Sequence, residues 1–211
     1  MGDAGLTRER ILEAAVGVLR RFGPEKANVV DVARALGVTH ASVYRYFPSK
    51  SALRDAVVRQ WLEIMMPPLD AVAAEEGPAA ERLRRWLDLL VAGKRKRVAD
   101  DPELFAAYHG LVAQLRELVQ AHVDALTGQA ARIIADGVAR GEFTADDPAA
   151  AARAVLSATS RFHNPAHASE WSDPAIDERL NEVWSLLLRG LTAGLPAAEP
   201  RRRTKVGNAK K

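Results

Sequence analysis

Two stretches of this 211-residue chain bring polar and charged side chains together at spacings that could do chemistry. The first is Thr39-His40-Ala41-Ser42-Val43-Tyr44-Arg45-Tyr46-Phe47-Pro48-Ser49-Lys50. It concentrates hydroxyls, an imidazole, a guanidinium and an ammonium, the groups that grip phosphate oxygens and base edges. The second is Arg161-Phe162-His163-Asn164-Pro165-Ala166-His167-Ala168-Ser169-Glu170-Trp171. Here His163, His167 and Glu170 have the spacing of ligands on one helical face, and two imidazoles with a carboxylate suit zinc or another divalent ion. Pro165 interrupts a helix between the first two candidates. A polar inter-helix turn, with its histidines near a pocket or a dimer seam, is therefore the better reading, and a metal-dependent enzyme the outlying one. No Ser-His-Asp set, glycine-rich phosphate loop or carboxylate pair accompanies it, so the chain reads as a non-enzyme without a cofactor.

The first stretch needs elements that present it. Val29, Val32, Ala33 and Leu36 fall at i, i+3, i+4 and i+7, one apolar stripe on a short helix. Asn28 can cap that helix, and Asp31 adds negative charge near the positive end of its dipole. Gly37 stands where a left-handed residue ends a helix cheaply, and Val38 supplies the apolar plug of a tight corner. Thr39 can cap a second short helix in which Val43 points inward and His40, Ser42, Tyr44 and Arg45 point out. Ile11, Ala15, Val18, Leu19 and Phe22 form a supporting stripe upstream, ended by Gly23-Pro24. Leu53, Val57 and Trp61 mark a fourth helix downstream, with Lys50 in its first turn, where free N–H groups favour an anion.

With ILEAA in its first helix, VARALGV across the turn and YRYFPSKSAL at the join with helix four, the segment from Thr7 to about Gln60 resembles the N-terminal DNA-binding domain of the TetR family of bacterial transcriptional regulators. The resemblance covers a little over a quarter of the chain. It departs from a common family pattern by placing Asn28 where threonine often caps helix two, which leaves the capping intact. The resemblance implies that Thr39, His40, Ala41 and Ser42 meet base edges, and that Tyr44, Arg45, Tyr46 and Lys50 contact phosphate. Arg45 could also read guanine, and Tyr46 could also be core. The implied partner is a double-stranded DNA operator, read as a near-palindrome by a homodimer whose recognition helices lie about one turn (~34 Å) apart. The resemblance further implies a pocket for a small effector in the regulatory domain. Trp61, Trp86, Phe105, Tyr108, His109, Val112 and Phe162 are its candidate lining, a largely apolar one, although aromatics at helical spacing are also packing residues.

Charge is distributed in keeping with one DNA-facing end: residues 1–60 carry a net +4, 61–195 a net −6 and 196–211 a net +5. There is no cysteine, which excludes disulfides and thiolate metal sites and fits a reducing cytoplasm. No apolar run approaches the length of a membrane span and the N-terminus is unlike a signal peptide, so a cytoplasmic protein with no membrane partner is expected.

Beyond helix four, Met66-Pro67-Pro68 and Gly77-Pro78 mark breaks, and Leu83, Trp86, Leu87, Leu90 and Val91 outline a helix to about Lys96. Asp101-Pro102, Asp147-Pro148 and Asp173-Pro174 read as helix starts, with an interruption near Gly110 and a stop at Gly141. No segment reads as a strand, so the expected fold is all-α with about nine helices. Residues 1–50 form the helix-turn-helix domain, linked by helix four from about 49 to a regulatory and dimerisation domain over 51–195. Residues 196–211 read as a disordered basic tail. The run Lys94-Arg95-Lys96-Arg97 reads as a solvated helix end. Ile176, Leu180, Val183, Trp184, Leu187, Leu188, Leu191 and Leu195 spread beyond one stripe, beside an alanine-dense stretch from Ala149 to Ala158. This pair of terminal helices is the expected dimer seam.

Overall fold

The computed structural model describes residues 5–26, 28–112 and 115–193. The basic tail expected over 196–211 lies outside the described residues. Among them are eleven α-helices, one 3-10 helix and no strand. The helices are α1 (Arg8–Lys26), α2 (Val29–Leu36), α3 (His40–Tyr44), α4 (Lys50–Glu63), α5 (Met66–Ala74), α6 (Ala79–Asp100), α7 (Pro102–Val112), α8 (Arg116–Ala139), α9 (Pro148–Ala158), α10 (Ser160–His163) and α11 (Ile176–Thr192), with the 3-10 helix at Pro165–Glu170.

Each short helix of the N-terminal head is closed by a side chain. Asn28 Oδ1 accepts from the Asp31 N–H at 3.0 Å, Thr39 Oγ1 from Ser42 at 3.2 Å, and Ser49 Oγ from Ala52 at 3.0 Å. These bonds satisfy donors that a helix start leaves orphaned. Gly37 adopts φ 66° and ψ 28°, the left-handed conformation that ends α2 without a Cβ penalty, and Gly23, at φ 74°, kinks α1. The apolar stripes meet in a core of Ile11, Leu19, Val29, Val32, Val43, Phe47, Leu53 and Val58.

The body has its own core, in which Leu83, Trp86, Leu87 and Leu90 of α6 pack with Ile133 and Ile134 of α8 and with Val155, Phe162, Leu180 and Trp184. The two cores do not divide at helix four. Ala107, Tyr108 and Leu111 of α7 pack into the head's core, and Arg20 of α1 pairs with Asp101 at 2.6 Å.

The interruption expected near Gly110 falls just beyond it, between the end of α7 at Val112 and the start of α8 at Arg116. Two other helix boundaries differ from those expected. Helix α6 runs on to Asp100. The last helix begins at Ile176, not at Asp173-Pro174: Asp173 Oδ1 accepts from the Ala175 N–H at 2.9 Å and builds a turn that leads into it. Of the run from Lys94 to Arg97 only Lys96 is solvated as expected. Lys94 is 5% exposed, Arg95 bonds Asp177 at 2.5 Å, and Arg97 donates to the Trp61 carbonyl at 2.6 Å, closing the C-terminal end of α4.

Candidate nucleic-acid interface and interior cavity

Helix α3 sits on the head with only Val43 fully buried, at 0% exposure. Val43 is the pin, and the rest of the short helix is turned outward. Thr39, His40, Ala41, Tyr44 and Arg45 are exposed and Ser42 is half-buried. The Thr39 and Ser42 hydroxyls lie 2.9 Å apart, and the His40 and Tyr44 rings meet edge-on at 6.3 Å, so the polar groups of this face are held in fixed relation. The outward face is a donor-rich strip of the width an α-helix presents to a major groove.

The segment behind α3 is tied down at several points. The Tyr46 hydroxyl donates to the Leu6 carbonyl at 2.6 Å, and the Arg8 guanidinium lies 4.4 Å over the Phe47 ring. Tyr46 therefore spends its proton inside the head, and only Tyr44, Arg45 and Lys50 of the expected phosphate set are carried forward. Lys50 is the first residue of α4, directly after the Ser49 cap.

A cavity of about 300 Å³, partly open to solvent with His109, Val123 and Ser157 exposed in its wall, lies where α4, α6, α7, α8, α9 and α10 converge. Of the expected lining, Trp61, His109 and Val112 are present. The others are packing. Trp86 is fully buried and donates to Gln129 Oε1 at 3.1 Å, and Phe162 is buried in the body core. Tyr108 stacks on the outer face of Trp61 at 4.7 Å, where burial pushes its hydroxyl up to about 12, and Phe105 stacks on His109. Lys94, His122, Ser157, Ser160 and His163 complete the wall. A signal for two of them was legible: Lys94 continues the apolar stripe Leu83, Leu87, Leu90, and His122 interrupts the stripe Val119, Val123, Leu126.

The histidine segment is taken apart by the fold. His163 turns towards the cavity with its Nε2 3.2 Å from the Thr159 hydroxyl, while His167 Nδ1 meets Glu170 at 2.9 Å. Arg161 also bonds Glu170, at 2.7 Å, and hydrogen bonds from His167 and Arg161 hold its carboxyl below the usual range. Among the described residues no three His, Asp or Glu side chains are placed to hold a metal ion. The trio's carboxylate is neutralised by an arginine and its first imidazole points elsewhere.

An all-helical body joined to a helix-turn-helix with an outward, donor-rich second helix is the architecture of a DNA-binding protein. The chain belongs to the TetR family. Residues 11–57 match the family described as bacterial regulatory proteins of the tetR family, and residues 79–184 match the tetracyclin repressor-like C-terminal domain. The nucleoid occlusion factor SlmA of Vibrio vulnificus is 33% identical over 86 residues, covering 40% of this chain and 44% of that protein. The HTH-type transcriptional regulator RutR of Escherichia coli is 37% identical over 73 residues, covering 35% of this chain and 34% of that protein. The match thus spans less than half the length of these relatives. Over the whole fold, SmeT, the repressor of the Stenotrophomonas maltophilia multidrug efflux pump SmeDEF, superposes with a TM-score of 0.68 at 18% identity, over 94% of this chain and 97% of that one. A second SmeT structure is a complex with triclosan.

Proposed function

We propose that this chain is a homodimeric repressor that occupies a near-palindromic DNA operator and leaves it when a small, largely apolar molecule fills the cavity. The observation that carries the reading is the double duty of α4: its first residue, Lys50, follows the Ser49 cap a few positions after α3, and its Trp61 and Leu62 wall the cavity. Those two ends are about 16 Å apart along one helix. A helix is stiff over that length, so a molecule wedged against Trp61 shifts the head that Lys50 anchors. SmeT, of the same fold, binds triclosan, which supports a cavity of this kind taking an apolar compound.

In this reading Thr39, His40, Ala41 and Ser42 meet base edges, while Tyr44, Arg45 and Lys50 contact phosphate. Two heads are needed to span an operator, and the outward side of α11, where Leu186 is 65% exposed, supports a seam with a second copy. No helix among the described residues is long and apolar enough to cross a membrane, in keeping with a regulator that works on DNA in the cytoplasm.

The test is selection of bound duplexes from a random pool, followed by a salt-dependent gel shift. His40→Ala is expected to relax preference at one base position by about 1–3 kcal/mol, and Lys50→Ala to weaken all sequences alike and flatten the salt slope by about 1. The likeness to SlmA supports a second reading, a chromosome-associated assembly factor without small-molecule control. Binding to many chromosomal sites with no release by any ligand would favour it over the repressor.

A further inference from the structure

The cavity wall holds Lys94, His109, His122 and His163 with Ser157 and Ser160, and not one Asp or Glu among the residues that line it. Lys94 is the unusual member. It is 5% exposed, yet it makes no hydrogen bond or ion pair with any described residue, its Nζ standing 5.7 Å over the Trp61 ring. Buried ammonium groups are ordinarily paired, because desolvation costs several kcal/mol that only a nearby anion offsets. The neighbours here make matters worse, since Arg97, three residues on along the same helix, presses on Lys94 with like charge. Across the cavity from α8, His122 Nε2 is buried without a partner. From α10, His163 stands close enough for Lys94 to oppose its protonation. The other buried cation of the body, Arg82, has its charge met: its two terminal nitrogens bond the Asp136 carboxylate and the Ala73 carbonyl, with only Nε left over.

The geometry points to an apolar molecule carrying a single anionic head, a carboxylate, as the occupant of this cavity. Its head would bridge Lys94 Nζ and His122 Nε2, and its apolar part would lie against Leu62, Val112, Val119 and Leu126. Lys94 is held down to about 8, chiefly by burial, and so is still cationic at neutral pH. The inference rests on the cavity being the effector site and adds the charge of the effector.

Two series separate the head group from the skeleton: decanoate, 1-decanol and decylamine, and 4-phenylbutyrate, 4-phenyl-1-butanol and 4-phenylbutylamine. Binding to the full chain is measured by calorimetry, alongside release of a selected operator in a gel shift. The carboxylate of at least one series is expected to bind about tenfold or more tighter than its alcohol, with the amine weakest, as a charge-assisted bond to a desolvated cation requires. Lys94→Met, checked for folding by circular dichroism, should erase that preference and leave alcohol binding intact. Alcohols binding as tightly as carboxylates, or a preference that survives Lys94→Met, overturns the anionic head while leaving effector control standing. The head-group comparison on the unaltered chain decides the matter even if that variant fails to fold. Carboxylate binding without operator release upholds the anion site and overturns effector control. No binding by any compound of either series overturns both.

Discussion

The head and the body are built from the same kind of helix, yet they dispose of their polar groups in opposite ways. In the head, polar side chains cap helices, as Asn28, Thr39 and Ser49 do, face outward on α3, or, like the Tyr46 hydroxyl, bond a backbone carbonyl at the edge of the core. Among the described residues the buried polar and charged side chains, Arg82, Lys94, Gln129 and Thr159, all lie in the body. Three of them make bonds within the protein: Arg82 with Asp136, Gln129 Oε1 with the Trp86 indole, and Thr159 with the Val155 carbonyl at 2.7 Å, although Arg82 Nε and Gln129 Nε2 are left without a partner among the described residues. Lys94 is the exception. A region whose polar groups face outward can keep a dry apolar core, whereas one that walls a cavity with polar groups must carry the cost of holding them inside it.

The strongest test of that contrast is to wet the head's dry core. Val43→Asp places a carboxylate at a fully buried position with no cation to receive it, and should cost more than about 3 kcal/mol in urea unfolding and abolish the gel shift. Unchanged stability would mean that α3 does not rest on this seam. Next in size is Lys94→Met, which removes an unpaired buried charge from the body and should raise stability by about 2 kcal/mol at pH 7, an increase in melting temperature that scanning calorimetry would register. A loss instead would show that Lys94 has a partner within the fold.

Acid should act on the same wall. Burial, and then the charge of Lys94, pushes His163 down to about 4 and His122 down to about 3, with Arg97 adding to the latter. In the unfolded chain both imidazoles take up a proton near pH 6.5, but the folded chain resists until well below, so the unfolded state binds more protons across the interval. Stability is therefore whole above pH 6.5 and falls as the pH is lowered towards 4. Allowing for solvent that reaches the cavity, the loss at pH 5 is about 2 kcal/mol for the pair, and a His122→Phe, His163→Leu double variant should show a flatter profile over that range. The smallest effect belongs to the head's turn. Gly37→Ala meets no neighbour within 4 Å, so its cost, about 1 kcal/mol by denaturant titration, is the left-handed backbone alone.

The head was largely legible because its rules are local. An Asn, Thr or Ser cap, a left-handed Gly37 and a stripe from Val29 to Ala33 each act within a few residues, and the structure realises every one. The body's cavity was less legible because its wall is assembled from six helices distant in sequence. The aromatic bulk of Trp86 and Phe162 points to a pocket wall in the sequence, but bulk is what a core consumes first. The sharper clue was a charged or imidazole side chain sitting in phase with leucines and valines, as Lys94 and His122 do. The Tyr46 hydroxyl shows the converse limit: its target, the Leu6 carbonyl, lies 40 positions away, and nothing in the local pattern announces it.

The length of α4 sets a constraint on how such a protein can be rebuilt. Each residue added to a helix turns everything beyond it by about 100°. Grafting this head onto another body, or lengthening the splice by even one position, would swing Trp61 off the cavity and out of gear with Lys50. A working hybrid must keep the count from Lys50 to Trp61, just as two cogs on one shaft must keep their relative phase.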